Sequence, residues 1–280
     1  MQDILLIGHR PPVLLLHGLR GNPLEIQLLA QRLHRAGHTV SVPYLSGYGQ
    51  RPGDCAPVLP WAQWEAMASE RLAELVADHG PAAVGGLCIG SDLALRLARR
   101  DESSVTGLLL ISTTLFYDGW NLPWFSRLLP LLPLANPTPL RHRYRLREKD
   151  PYGIKNPRIR EWIARQMEST GNSAAGARDL PLSAIYEAYL MMRHIRASLP
   201  DITQPALILH AAEDEMASLR TPNLLAGRLG SSRIEKIIFT NSYHMLTLDN
   251  DREGVARACV EFVGALERQQ QSATAVQFQA

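Results

Sequence analysis

Ala82-Ala83-Val84-Gly85-Gly86-Leu87-Cys88-Ile89-Gly90-Ser91 is the stretch from which the fold is read. A short apolar run of small residues reads as a strand buried on both faces. It closes on Gly86-Leu87-Cys88-Ile89-Gly90, after which Asp92 to Ala98 reads as a helix. Strand, sharp turn and helix form the setting of a nucleophile elbow. The turn lifts its central side chain above the sheet, and the flanking glycines let strand and helix approach without a Cβ clash. With 20 glycines in 280 residues, a given Cys has Gly at both −2 and +2 by chance on the order of 1 in 200. The competing reading is a buried structural thiol, since free Cys is among the most buried residue types.

Around this stretch the chain alternates short strands with helices. Pro12 to Gly18 is a strand running into a turn, followed by a helix from Pro23 to about Ala36 with Leu24, Leu28, Leu29 and Leu33 on one stripe. His38 to Pro43 is a strand, Trp61 to about Asp78 a helix and Thr106 to Ile111 a strand. Ala206 to His210 and Ile234 to Phe239 are further strands, each followed by a helix, at Thr221 to Leu229 and Arg252 to Leu266. The expected fold is α/β, with a mostly parallel sheet covered by helices on both faces. The alternation stops near Ser112 and resumes at Pro205. Residues 112–200 therefore read as a folded cap insertion between two parts of one core, 1–111 and 201–267. Residues 268–280 read as a polar, disordered tail.

Composition excludes several classes. A net charge of +2 makes no global case for nucleic acid or an anionic membrane. The cysteines Cys55, Cys88 and Cys259 form neither a disulfide framework nor a zinc pattern, which fits a reducing compartment. No secretory signal is read at the N-terminus and no apolar run reaches membrane-spanning length, so a cytoplasmic location is expected. No metal and no cofactor is called for.

In such a sheet functional groups gather at the carboxyl ends of the strands. His210-Ala211-Ala212-Glu213-Asp214-Glu215-Met216 follows one late strand and Asn241 to Leu246, with His244, follows the next. A histidine must accept the nucleophile's proton, and a carboxylate must hold its tautomer. Asp214 competes for that second role with Glu213 and Glu215, and its distance from the strand end favours it. Asp92, in the first turn of the elbow helix, suits a carboxylate favoured by the helix dipole. His17 and His210 read as local structural histidines.

These residues resemble the α/β-hydrolase family, in particular its bacterial carboxylesterase and monoacylglycerol-lipase-like branch. The likeness is carried by His17 to Pro23, the Gly86–Gly90 elbow, Asp214 and His244. It implies an oxyanion hole formed by the backbone N–H groups of Leu19 and Ile89. Two departures stand out: Tyr48 where the family prefers His, and Cys88 where it usually has Ser.

Cysteine changes the chemistry, because its intermediate is an acyl thioester that amines and thiols attack as readily as water. The reading is a hydrolase for an ester or thioester of an apolar acyl group, with Cys88, His244 and Asp214 as triad. The alternatives are an acyltransferase and a catalytically inactive binding protein of the same fold. Trp120, Trp124 and Leu128 of the insertion are expected to line an acyl pocket. The run Arg141, Arg143, Arg145, Arg147 is either a solvated face or a grip for an acyl group linked to coenzyme A or an acyl-carrier protein.

Overall fold

The apolar runs assemble into a seven-stranded sheet in a computed structural model that describes residues 3–50, 56–122 and 144–277, with side chains to residue 272. Its first strands are β1 (Ile4–Leu6), β2 (Arg10–Leu16), β3 (His38–Val42), β4 (Ala82–Leu87) and β5 (Val105–Ile111). Between β5 and the later core strands come the short β6 (Arg145–Arg147), β7 (Asn172–Ser173), β8 (Gly176–Ala177) and β9 (Asp179–Pro181). Strands β10 (Ala206–Ala211) and β11 (Ile234–Phe239) complete the sheet, whose order is β1-β3-β2-β4-β5-β10-β11. All its neighbours pair parallel except β1 with β3. The three-residue β1 carries no signal beyond its apolar letters; it is an antiparallel edge strand with Leu5 exposed.

Alternation along each central strand sends side chains to two cores. Leu14 and Leu16, Val84, Leu108 and Leu110, and Ile208 share one face. Val13 and Leu15, Ala83, Leu109 and Ile111, and Leu207 and Leu209 share the other. The first face is covered by α2 (Trp61–His79) and α3 (Ile89–Arg100), through Trp64, Leu72, Leu93 and Leu97. The second is covered by α1 (Gln27–Arg35), through Leu29 and Leu33.

The stretch 112–200 divides its work. Helix α4 (Pro157–Thr170) and β7–β9 lie on the site side of the molecule, with Met167 and Leu180 reaching the cavity beside Cys88. Helix α5 (Leu182–Ser198) instead packs Ala188, Met191, Met192 and Ile195 into the first core. Helix α6 (Arg220–Arg228) adds Leu225 to that core, and α7 (Arg252–Gln277) adds Val255, Cys259 and Phe262 to the second. Helix α7 runs on past Leu266 into the stretch expected to be an unstructured tail.

Candidate active site

The elbow is built by steric demand. A Cβ at Gly86 would lie 2.4 Å from the Gly90 carbonyl carbon and 2.6 Å from the Leu16 oxygen; at Gly90 it would lie 2.2 Å from that oxygen. Only glycine permits this closeness of β2, β4 and the start of α3. Between them Cys88 sits at φ 57°, ψ −122°, a conformation L-residues rarely adopt and one concentrated at functional sites. The Cys88 N–H donates to the Ile111 oxygen at 3.0 Å. The Ser91 hydroxyl donates to the Gly86 oxygen at 2.5 Å and accepts from the Ile111 N–H at 3.0 Å. Cys88 itself is half-buried at the head of α3, not sealed in the core.

Asp214 and His244 arrive from the ends of β10 and β11. His244 Nδ1 lies 2.8 Å from Asp214 Oδ2 and 3.0 Å from Oδ1. Asp214 Oδ1 also accepts the N–H groups of Met216 and Ala217 at 2.8 and 2.9 Å. Burial pushes the Asp214 carboxyl up, but the His244 charge and these donors outweigh it and hold it below the ordinary carboxylate range. His244 is raised well above an ordinary histidine: burial disfavours its charge, yet Asp214 and then Cys88 overcome that penalty. Its Nε2 is buried and has no well-aligned hydrogen-bond partner among the described residues, and the Cys88 thiol acts on the ring both through its charge and as a hydrogen-bonding neighbour. Of the three acids in that loop, Asp214 is the one placed against the His244 ring. Glu213 is turned outward to Lys155 at 2.5 Å, while Glu215 Oε2 accepts the His244 backbone N–H at 3.0 Å.

Several supports were not read from the sequence. Ser112, at φ 47°, donates its hydroxyl to the His244 backbone oxygen at 2.6 Å. Buried Thr114 places Oγ1 3.4 Å from Cys88 Sγ. Both follow directly on β5, so the strand-end rule that found Asp214 and His244 points to them too. Asp249 Oδ2 accepts the N–H of Tyr243 at 2.9 Å and of Lys155 at 2.6 Å, tying the His244 loop to the entry of α4.

The oxyanion candidates face the same cavity. Leu19 and Ile89 line it with Cys88 and His244, and neither of their N–H groups donates to another described residue. The turn carrying Leu19 is fixed by Glu25, whose Oε2 accepts the Gly18 N–H at 2.7 Å. His17 is structural: Nδ1 lies 2.9 Å from the Gly18 oxygen, and burial lowers it to about 4. Tyr48 packs its ring on His17 at 5.2 Å and donates its hydroxyl to the His17 oxygen at 2.8 Å. His210 likewise bonds locally, to the Ala217 oxygen at 2.8 Å.

Two expectations change. Trp120 is not among the described residues that line the cavity; it is 58% exposed, with its indole N–H on the Glu213 oxygen at 3.0 Å and its ring edge-on to Tyr243. Asp92 is not a dipole-stabilised carboxylate: it is fully buried, neither oxygen has a hydrogen-bond partner among the described residues, and burial, then Cys88, push it well above the usual range against the pull of Arg196, towards the neutral acid. Trp124, Leu128, Arg141, Arg143 and Cys55 lie outside the described residues; Arg145 and Arg147 stand exposed on β6.

A parallel sheet with a strained elbow at one strand end, and an acid and a histidine at the two following ones, defines an α/β hydrolase. Residues 8–251 match the family described as serine aminopeptidase, S33, and the chain belongs to it. It is 26% identical over 250 residues to a thermostable monoacylglycerol lipase of Bacillus sp. (strain H-257), covering 89% of each chain. It is 29% identical over 234 residues to a pimeloyl-[acyl-carrier protein] methyl ester esterase of Aromatoleum aromaticum, covering 81% of this chain and 89% of that one. The solved monoacylglycerol lipase of Paleococcus ferrophilus superposes with a TM-score of 0.74 at 19% identity, covering 94% of this chain and 98% of the other. No helix among the described residues is long and apolar enough to cross a membrane.

Proposed function

We propose that the chain hydrolyses a carboxylic ester through an acyl-enzyme on Cys88. His244 takes the thiol proton while Asp214 holds Nδ1–H, and the sulfur attacks the ester carbonyl. The oxyanion that forms is held by the N–H groups of Leu19 and Ile89. Collapse expels the alcohol, protonated by His244. Water, deprotonated in turn by His244, cleaves the thioester and releases the acid, restoring the thiol. The observation that carries this reading is the Asp214–His244 pair at 2.8 Å, coupled to a cysteine in a strained elbow.

The relatives' names, a lipase and a methyl ester esterase, support an ester as substrate. Leu19, Leu87, Ile89, Met167, Leu180 and Met245 around the cavity suit an apolar acyl chain. Thioester formation on Cys88 also favours a second reading, acyl transfer to an amine or thiol. Turnover in oxygen-18 water with and without such an acceptor separates the two. A labelled free acid, unaffected by the acceptor, is the expected outcome; a conjugate in its place identifies a transferase.

A further inference from the structure

The residues that leave β5, Ser112-Thr113-Thr114, are all buried and join the His244 loop to the elbow. Ser112 is held at φ 47°, a left-handed conformation that L-residues rarely adopt. Its N–H donates to the Leu209 oxygen at 2.8 Å and its hydroxyl to the His244 backbone oxygen at 2.6 Å. Its own carbonyl oxygen accepts the Thr114 hydroxyl at 3.2 Å, and Thr114 Oγ1 lies 3.4 Å from Cys88 Sγ. A path of bonded and hydrogen-bonded atoms therefore runs from the His244 backbone through Ser112 to the sulfur. Backbone strain of this kind persists only where the surroundings enforce it, and it concentrates at functional sites.

A threonine hydroxyl has two lone pairs but one hydrogen, which serves one acceptor at a time. Among the described residues this hydroxyl has two neighbours, the Ser112 oxygen and the sulfur. While the thiol is neutral, the hydrogen goes to the Ser112 oxygen and Oγ1 accepts the weakly donating S–H. When the S–H bond breaks, its proton passes to His244 Nε2 and its electron pair stays on sulfur. The Thr114 O–H then turns about its C–O bond to meet the sulfur, and Thr114 loses no proton. A hydrogen bond to an ionised group is roughly twice as strong as a neutral one, so the exchange favours the thiolate.

We propose that Thr114 is a further catalytic group, whose hydroxyl donates to the Cys88 thiolate from a position fixed by Ser112. This rests on reading Cys88 as the nucleophile of an ester hydrolase. Other ionisable groups interact with the same sulfur: His244 from the loop after β11, Asp92 on α3, and Tyr48 and Tyr117 from the loops after β3 and β5. Glu25, Glu148, Glu215 and Tyr152 line the cavity beside it. All of these are unaltered in a Thr114 variant, so a difference between variants at that position reads the hydroxyl.

The test is the pH dependence of Cys88 alkylation by iodoacetamide, with peptide mapping to separate it from Cys55 and Cys259. In Thr114→Val the midpoint of the profile should move up by about one pH unit, which is about a tenfold loss of rate on the acid limb. The alkaline plateau should stay within about threefold, because a more basic thiolate is only modestly more nucleophilic. Thr114→Ser, which keeps the hydroxyl, should restore the wild-type midpoint. Thr114→Ala removes the same hydroxyl and takes the place of Thr114→Val should that variant fail to fold. A midpoint that stays put or falls when the hydroxyl is removed, or an equal shift in Thr114→Ser, overturns the proposal. Alkylation needs no turnover, so the two readings fail separately. A shifted midpoint in a protein that hydrolyses no ester removes the hydrolase reading and upholds the hydrogen bond to sulfur; ester turnover with an unmoved midpoint overturns the role of Thr114 alone.

Discussion

Glu25→Gln isolates the cost of the buried carboxyl that fixes the turn carrying Leu19, the proposed oxyanion donor. The amide keeps an oxygen to accept the Gly18 N–H, 2.7 Å away in the wild type, and removes the ionisation. An ordinary Glu loses its proton near 4.5, whereas folded Glu25 keeps it to about 8. Between those values the folded chain binds a proton the unfolded chain has lost, so stability falls as pH rises through the window and is level above it. At 1.36 kcal/mol per pH unit, flattening as the folded value is reached, Glu25 alone removes about 2 kcal/mol between pH 6 and 8. Glu215, raised to about 7, adds about 1 kcal/mol between pH 6 and 7 in both proteins. His17, lowered to about 4, acts with the opposite sign and below its ordinary 6.5, mostly outside this range. Urea unfolding at pH 6, 7 and 8, at matched m-values, reads the difference. The wild type should lose about 2 kcal/mol more than Glu25→Gln over the range. Parallel pH profiles for the two proteins would refute the assignment of a buried, protonated Glu25.

Three further outcomes follow from the site. Asp214→Asn leaves His244 without its carboxylate and should lower kcat by about 10²–10⁴-fold with little change in KM; steady-state kinetics showing less than a tenfold loss would contradict the triad. Gly90→Ala places a methyl 2.2 Å from the Leu16 oxygen and 2.5 Å from the His17 oxygen, so it should cost about 1–3 kcal/mol in urea unfolding despite the better helix propensity of Ala. Gly227→Ala, inside α6 with no atom within 4 Å of the new Cβ, should instead stabilise by about 0.5–1 kcal/mol, and equal effects at the two glycines would sink the steric account of the elbow.

The elbow was legible because its sterics act over five residues: Gly86 and Gly90 are imposed by backbone contacts that leave no room for a Cβ, and that demand is written locally. Asp214 and His244 were legible because strand ends set where side chains can meet, which also separated Asp214 from Glu213 and Glu215. What was not legible is non-local. Glu25 and Glu148 look like surface residues of a turn and of an arginine-rich run; only the folded chain brings them to one cavity. Trp120 was misplaced because an aromatic letter in an insertion has no period to say which way it faces, and its indole found a carbonyl on the outer rim. Polarity alone does not end a helix, so α7 continues through Arg268–Gln277, a stretch without Gly or Pro.

The account turns on covalent chemistry at one sulfur. Intact-mass spectrometry of the protein quenched during turnover of an activated acyl ester, followed by peptide mapping, reads it directly. The account predicts an increase of one acyl group, confined to the peptide holding Cys88, absent from Cys88→Ala and discharged by hydroxylamine. Turnover with no adduct on Cys88, or undiminished turnover by Cys88→Ala, would contradict it.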